Sequence, residues 1–243
     1  MASSAGISST SKIARCVSDC TRFRFSIGHT SSAKMPESRS KAALVWIDCE
    51  ASLTQYAGDY PWLITSASPQ MTGLDLEKDT ILSLACFITD ADLNLLDDKG
   101  YEAIVHHDQN QLDQMGEWCT NQHGESGLTA AVLASTTTAE QAAQECLEYI
   151  KKYVPEYKKA LLAGNTVHAD KAFLRKEPWR PIIRHLHHRI LDVSAIKEAM
   201  KRWSPDEVLK GSPQKKGLHE ARQDILESIE EAKYYREKIF QRP

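Results

Sequence analysis

The chain has 243 residues, 42% of them apolar, and a net charge of −3. That length suits one large domain with a sizeable core, or two small ones. No apolar run approaches the roughly 18 residues of a membrane helix, and the acidic balance argues against an electrostatic grip on long nucleic acid.

The charge is unevenly spread. Residues 1–41 hold seven Lys/Arg against Asp19 and Glu37, a net of +5, which leaves −8 on the remainder. This segment is rich in Ser, Thr and small residues and has a single acid before Glu37. It has the composition of a mitochondrial presequence and no core pattern. A plain disordered tail is the alternative. Initiation at Met35 would drop the basic segment and give a second, cytosolic product. Cys16 and Cys20 lie in this tail. Cys49, Cys86, Cys119 and Cys146 are scattered without C-x-x-C spacing. That pattern fits a reducing compartment, with neither a disulfide framework nor a zinc site.

The first strand is expected at Leu44-Val45-Trp46-Ile47-Asp48-Cys49-Glu50, an apolar run ending in two carboxylates two apart. Strand side chains alternate faces, so Asp48 and Glu50 point the same way. Two such neighbours repel each other, and a divalent cation removes the repulsion. The heptapeptide therefore reads as half of a hard-metal site, or else as a strand ending in a polar turn. Ala51 to Gln70 has no clear period and reads as a loop, with a turn at Met71 to Asp75. Thr80 to Thr89 and Tyr101 to His106 complete a three-stranded antiparallel meander. Helices are expected at Gln111 to Cys119 and at Gly127 to Ala134. Thr138 with Gln141 is a capping-box signature for a helix carrying Ala143, Cys146, Leu147, Ile150 and Val154 at helical spacing. Ala160 to Gly164 is a fourth strand. A helix from Asn165 holds Asp170, Phe173 and Leu174 until Pro178 and Pro181 break it. Arg189 to Val193 is a fifth strand, followed by a helix from Ser194 to Trp203. Ser204 to Gly217 reads as a mobile basic loop, and a last helix runs from about Leu218 to Phe240. A meander followed by alternating helices and strands implies an α/β fold, a mixed five-stranded sheet with helices on both faces.

Three polar residues stand out beyond the first strand. Asp170 follows a buried strand at the start of a helix, where the macrodipole alone would favour an acid. His219 and Asp224 form H-x4-D at the start of the last helix. Within one helix they would stand about 140° apart. His219 is therefore expected at or before the first turn, leaning over a site that Asp224 lines. A solvated acid beside Arg222 is the plainer reading of Asp224.

Together, Asp48, Glu50, Asp170, Asp224 and His219 resemble the signature of the DEDDh 3′-to-5′ exonucleases, and most closely their oligoribonuclease branch. The same branch pattern covers Met71-Thr72-Gly73-Leu74-Asp75, Trp118-Cys119, His123-Gly124 and Ser126-Gly127-Leu128. It continues through Ala163-Gly164-Asn165, Asp170-Lys171, Phe173-Leu174, Leu191-Asp192-Val193-Ser194, Trp203 and Tyr234-Tyr235-Arg236. The resemblance implies a ribonuclease H-like domain over residues 42–243. It implies two Mg²⁺ or Mn²⁺ ions held by Asp48, Glu50, Asp170 and Asp224, with His219 as general base. The substrate would be short single-stranded RNA, cut to 5′-nucleoside monophosphates. Thr72 and Leu74 would lie at the substrate, Leu74 as a wedge against terminal bases. Trp118 would stack there or serve as a core aromatic. His123 and Asn165 would lie near sugar or phosphate, and Thr166 would bind substrate. His188, Arg189 and Ser194 would cap the 5′ phosphate, completed across a homodimer interface.

Four positions depart from the family pattern. Residues 51–70 interrupt a run that the family makes continuous between Glu50 and Met71. That is the length of a short retained intron or a gene-model error, and it separates a metal ligand from the base wedge. His188 stands where Tyr is usual, which weakens the cap; an exposed polar turn is the alternative for the His185 to Arg189 cluster. Thr166 stands for Ser with its hydroxyl kept, and Ser83 for an acid. If the insertion disables the site, the chain would be a catalytically impaired nucleic-acid-binding homodimer. A DEDDh enzyme acting on DNA ends is the other alternative.

Overall fold

Leu44–Ala51 forms β1, the middle strand of a five-stranded sheet, in a computed structural model that describes residues 42–52, 76, 78–213 and 220–240. β2 (Ile81–Thr89) runs antiparallel to β1, and β3 (Tyr101–Ile104) antiparallel to β2. β4 (Leu161–Gly164) and β5 (Ile190–Asp192) add on in parallel from the other side, so the order is β3-β2-β1-β4-β5. The fold is therefore the expected mixed α/β sheet.

The period of two along β1 sorts its side chains between two cores. Val45, Ile47 and Cys49 pack with Leu84, Cys86 and Ile88 against α4 (Ala139–Tyr153), α5 (Val167–Leu174) and α6 (Arg180–His185). Trp46 faces the other way, with Ala85, Phe87 and Ala163, toward α7 (Val193–Trp203) and α9 (Ala221–Tyr235). Asp48 and Glu50 share the parity of Trp46 and so project to the α9 side. The indole N–H of buried Trp46 donates to Thr89 Oγ1 at 3.0 Å, so its polar atom is satisfied. At the β2–β3 turn Gly100 has φ +69°, and a Cβ there would lie 2.5 Å from the Phe87 ring. Only glycine fits that approach.

Several boundaries differ from expectation. The Gln111 to Cys119 helix is two pieces, α1 (Gln109–Leu112) and α2 (Glu117–Glu125). Asp108 caps the first by accepting from the Gln111 N–H at 2.8 Å, and Gly116, extended at φ −64° and ψ 155°, separates the second. α3 spans Leu128–Ala134, and Thr138 caps α4 as its sequence implied. β3 is shorter than Tyr101 to His106. Pro181 opens α6 instead of ending a helix, since proline's missing N–H costs nothing in a first turn. The expected loop from Ser204 contains α8 (Asp206–Lys210), whose acids at the start and lysine at the end complement the macrodipole. The last helix closes in a π-helical turn, Arg236–Phe240. Among the described residues, no helix is long and apolar enough to cross a membrane.

Candidate active site

Three of the four expected acids converge. Asp48 and Glu50 from the end of β1 and Asp224 from the first turn of α9 each offer a carboxylate oxygen, all within 4.8 Å of one another. Glu50 and Asp224 are each only 9% exposed, so Asp224 is not a solvated surface acid. Arg222 points elsewhere. Its guanidinium donates to the Asp98 and Lys99 carbonyls and pairs with Glu102 at 2.9 Å. It also lies over the Phe87 ring, and thus ties the start of α9 to the β2–β3 turn.

Asp170 stands beside this group, not within it. It is 1% exposed. Its Oδ1 accepts the Cys49 backbone N–H at 3.0 Å, while its buried Oδ2 has no hydrogen-bond partner. An orphaned buried carboxylate oxygen is expensive. Burial, then the Asp48 charge, raises the Asp170 pKa well above the usual range, against two backbone N–H contacts that lower it. Burial also raises Glu50, and the charges of Asp48, Asp224 and Asp170 add to it. Two buried acids held above their usual range beside further carboxylates, with one bare buried oxygen, are what a hard divalent cation would relieve. The donor set is all oxygen, which suits Mg²⁺ or Mn²⁺.

The turn between β4 and α5 is built for close approach. A Cβ on Gly164 would lie 3.4 Å from the Ile47 carbonyl and 3.3 Å from Val167. Thr166 follows in the left-handed region at φ +54°, a strain held by its surroundings. Its N–H donates to Asp192 Oδ1 at 3.1 Å and to Ser194 Oγ at 3.0 Å. Ser194 Oγ in turn donates to Asn165 Oδ1 at 2.9 Å. Asn165, Thr166 and Ser194 are thus brought together, bonded to one another and to Asp192, Ser228 and Glu231. His123 is 3% exposed and sets Nε2 3.3 Å from the Ala51 carbonyl, against the end of β1. Trp118 is half-buried against the α4-side core. His188 and Arg189 are exposed just before β5, which begins at Ile190 and not at Arg189 as expected. The His188 ring lies 4.2 Å from that of His187, and its carbonyl accepts from Lys171. Thr72, Leu74 and His219 lie outside the described residues.

Sequence reasoning missed Glu231. It is 1% exposed, pairs with Lys197 at 3.0 Å and accepts from Asn165 Nδ2 at 3.1 Å and from the Tyr235 hydroxyl. Its signal was its spacing. Asp224, Ser228, Glu231 and Tyr235 recur at helical period, a polar stripe along a buried helix face.

The Exonuclease family model matches residues 71–232, beginning just past the 51–70 segment. The chain is similar to a probable oligoribonuclease of Schizosaccharomyces pombe, 44% identical over 206 residues that cover 85% of this chain and 71% of that protein. It is similar to the mitochondrial oligoribonuclease of Homo sapiens, 47% identical over 174 residues, 71% of each chain. It is also similar to the oligoribonuclease of Hydrogenovibrio crunogenus, 40% identical over 202 residues, 83% of this chain and 96% of that one. In structure it resembles E. coli exonuclease I bound to an oligonucleotide, with TM-score 0.55, 13% identity and coverage of 82% of this chain and 41% of that one. It likewise resembles cell-death related nuclease 4, with TM-score 0.53, 11% identity and coverage of 80% and 63%.

Proposed function

The chain belongs to the Exonuclease family, in its oligoribonuclease branch, and from that premise we propose which of its residues perform the reaction. The reaction is 3′-to-5′ hydrolysis of RNA. The relatives' shared name, at 40–47% identity, favours short RNA over DNA ends. The observation that carries the site assignment is the meeting of Asp48, Glu50 and Asp224 oxygens within 4.8 Å.

Asp48, Glu50 and Asp224 hold the metal ions, and Asp170, whose buried Oδ2 is bare, is the fourth ligand. Two Mg²⁺ or Mn²⁺ ions bound there would supply Lewis acidity to the phosphodiester and lower the pKa of a water. His219, five residues before Asp224, takes the proton of the attacking water. Thr72, Leu74 and Trp118 contact the terminal bases. His123 and Asn165 act beside the sugar and phosphate, His123 by bracing the end of β1. Thr166, His188, Arg189 and Ser194 meet the 5′ phosphate. Ser194 gives its proton to Asn165, so in the 3.2 Å contact between the two hydroxyls Thr166 Oγ1 donates and Ser194 Oγ accepts.

The protein acts as a homodimer. An exposed apolar groove of about 540 Å³, lined by Ile196, Met200, Trp203, Val208 and Ile239, supports this reading. Trp203 is 81% exposed and Phe240 60%, unusual for residues so large and apolar. Residues 1–41 direct a mitochondrial form, and initiation at Met35 gives a cytosolic one. Mitochondrial oligoribonucleases among the relatives support the first.

The test is incubation of the purified chain with end-labelled RNA dinucleotides, RNA 20-mers and DNA 20-mers, in Mn²⁺ or EDTA. Fast loss of the dinucleotide in Mn²⁺ alone is expected. Preference for long DNA, or no turnover in any lane, would overturn the reading.

A further inference from the structure

We propose that Glu231 is a positioning residue: through Asn165 it sets where α9, with Asp224, stands against the β4–α5 turn that leads to Asp170. The inference rests on the assignment of Asp48, Glu50, Asp170 and Asp224 as metal ligands. Glu231 itself touches neither substrate nor metal.

The argument is one of hydrogen-bond polarity. A carboxylate paired with Lys197 can only accept. Asn165 must therefore turn its amide nitrogen toward Glu231, at 3.1 Å. Its second amide hydrogen then reaches Ser228 Oγ at 2.8 Å. Ser228, having accepted, donates to the Asp224 carbonyl at 2.7 Å. The amide oxygen is left facing Ser194, which must donate to it. Ser194 consequently has only lone pairs for the Thr166 N–H. Every proton in this relay is oriented by the charge at Glu231, and the relay joins three elements: α7 through Lys197 and Ser194, α9 through Glu231 and Ser228, and the β4–α5 turn through Asn165.

The mechanical consequence follows from where those links end. One arm closes on the backbone of Asp224. The other closes on Thr166, four residues before Asp170 and in the strained left-handed conformation. The two acids that do not lie on β1 are thus braced against each other through one side-chain amide. Tyr235 and Ser212 extend the brace, since Tyr235 donates to Glu231 and accepts from Ser212 at 3.1 Å. A metal pair needs its ligands held to fractions of an ångström, and outer partners of ligands commonly carry 10–100-fold in metal affinity.

Replacing Glu231 by Gln keeps the volume and removes the polarity, because Gln can donate to Asn165 and let its amide reverse. Mn²⁺ binding to the full chain, measured by titration calorimetry without RNA, should weaken roughly tenfold or more in E231Q. The Mn²⁺ concentration for half-maximal dinucleotide cleavage should rise by a similar factor. A second variant, Lys197→Met with Glu231→Leu, replaces the partly exposed Lys197 and the buried Glu231 by apolar groups, leaves neither charge alone and should recover part of the melting temperature that E231Q loses. It should not recover Mn²⁺ affinity, which a purely structural role would predict. Wild-type Mn²⁺ affinity in E231Q, or in the double variant, overturns the proposal. Should E231Q fail to fold, Ser228→Ala breaks the same relay more gently, and unchanged Mn²⁺ affinity there overturns it too. The premise is checked apart by Asp48→Asn. Undiminished Mn²⁺ binding in that variant would show that the ion sits elsewhere and would remove the metal-site assignment.

Discussion

The backbone N–H of Cys49 donates to Asp170 Oδ1 at 3.0 Å, across 121 positions of sequence. Cys49 lies between the two carboxylates of β1. β4 pairs with β1 no further than Trp46, so beyond that point the Asp170 side chain takes the place of a strand neighbour. The bond fixes one oxygen of Asp170 and leaves the other buried and unpartnered. A helix-start acid is thereby tied to the end of the strand that carries Asp48 and Glu50.

Asp170→Asn separates these two roles. Asn keeps an oxygen for the Cys49 N–H and removes the charge that Asp48 opposes. Its amide can also donate toward the neighbouring carboxylates. In EDTA the variant should melt at the wild-type temperature or a few degrees above it. Exonuclease activity in Mn²⁺ should fall at least about a hundredfold, because several kcal/mol of charge stabilisation depends on the ligand set. Thermal melting in EDTA and a dinucleotide assay check the two halves. A variant that is less stable and equally active would contradict both.

The raised pKa values of Glu50 and Asp170 give a stability profile with a definite sign. An unfolded carboxyl titrates near pH 4, and burial moves both folded groups upward. Above the unfolded pKa the native chain therefore holds more protons than the unfolded one. Metal-free stability should fall as pH rises through the folded values. The loss is absent below pH 4 for these two groups and complete above their folded values. Mn²⁺ binds the ionised acids, so its stabilising effect should grow with pH. Melting curves at pH 5.5 and 8, each with Mn²⁺ and with EDTA, should show the larger Mn²⁺ shift at pH 8. Equal shifts would contradict the assignment.

The architecture was legible because β1 advertises itself. Four apolar residues entering two acids with a period of two told both the strand and the face. Thr138 with Gln141 told where α4 begins. Asp170 was harder, since an acid at a helix start has an ordinary explanation, and its bond to Cys49 spans 121 positions of sequence that no local pattern connects. Glu231 was illegible one residue at a time. A Glu near the end of an amphipathic helix looks solvated until Lys197, from another helix, is known to lie over it. Short-range signals also misled where proline and glycine act by position. Pro181 opens α6 and Gly116 divides α1 from α2, and neither role shows in composition.

Asp48 and His219 should fail in different ways when removed. Asp48→Ala should lose Mn²⁺ binding by calorimetry and activity together. His219→Ala should retain Mn²⁺ binding and lose about 10²–10⁴ in rate, the range for a general base. Its pH–rate profile should also lose the limb that an imidazole imposes. A His219→Ala chain that keeps the wild-type profile would move the base to another residue.

Excising residues 51–70 asks whether the interruption harms the site. β1 ends where Ser52 N–H donates to the Thr80 carbonyl at 2.9 Å and Ser52 Oγ accepts from Thr80 N–H at 3.1 Å. Joined directly to Glu50, Met71 and Thr72 would occupy the places of Ala51 and Ser52, and the Thr72 hydroxyl would stand in for that of Ser52. The connection from there to Thr80 would shorten from 27 residues (53–79) to seven (73–79). Loop closure alone then favours the shorter chain by about 1 kcal/mol. The Ala51 carbonyl that His123 meets at 3.3 Å is backbone, so Met71 can supply it. The shortened chain should melt no lower than the full one and keep its Mn²⁺ affinity. It should cleave dinucleotides at least tenfold faster, because Thr72 and Leu74 would follow directly on Glu50. Equal rates would show that the 51–70 segment is tolerated where it stands. A lower melting temperature would show that it belongs to the fold.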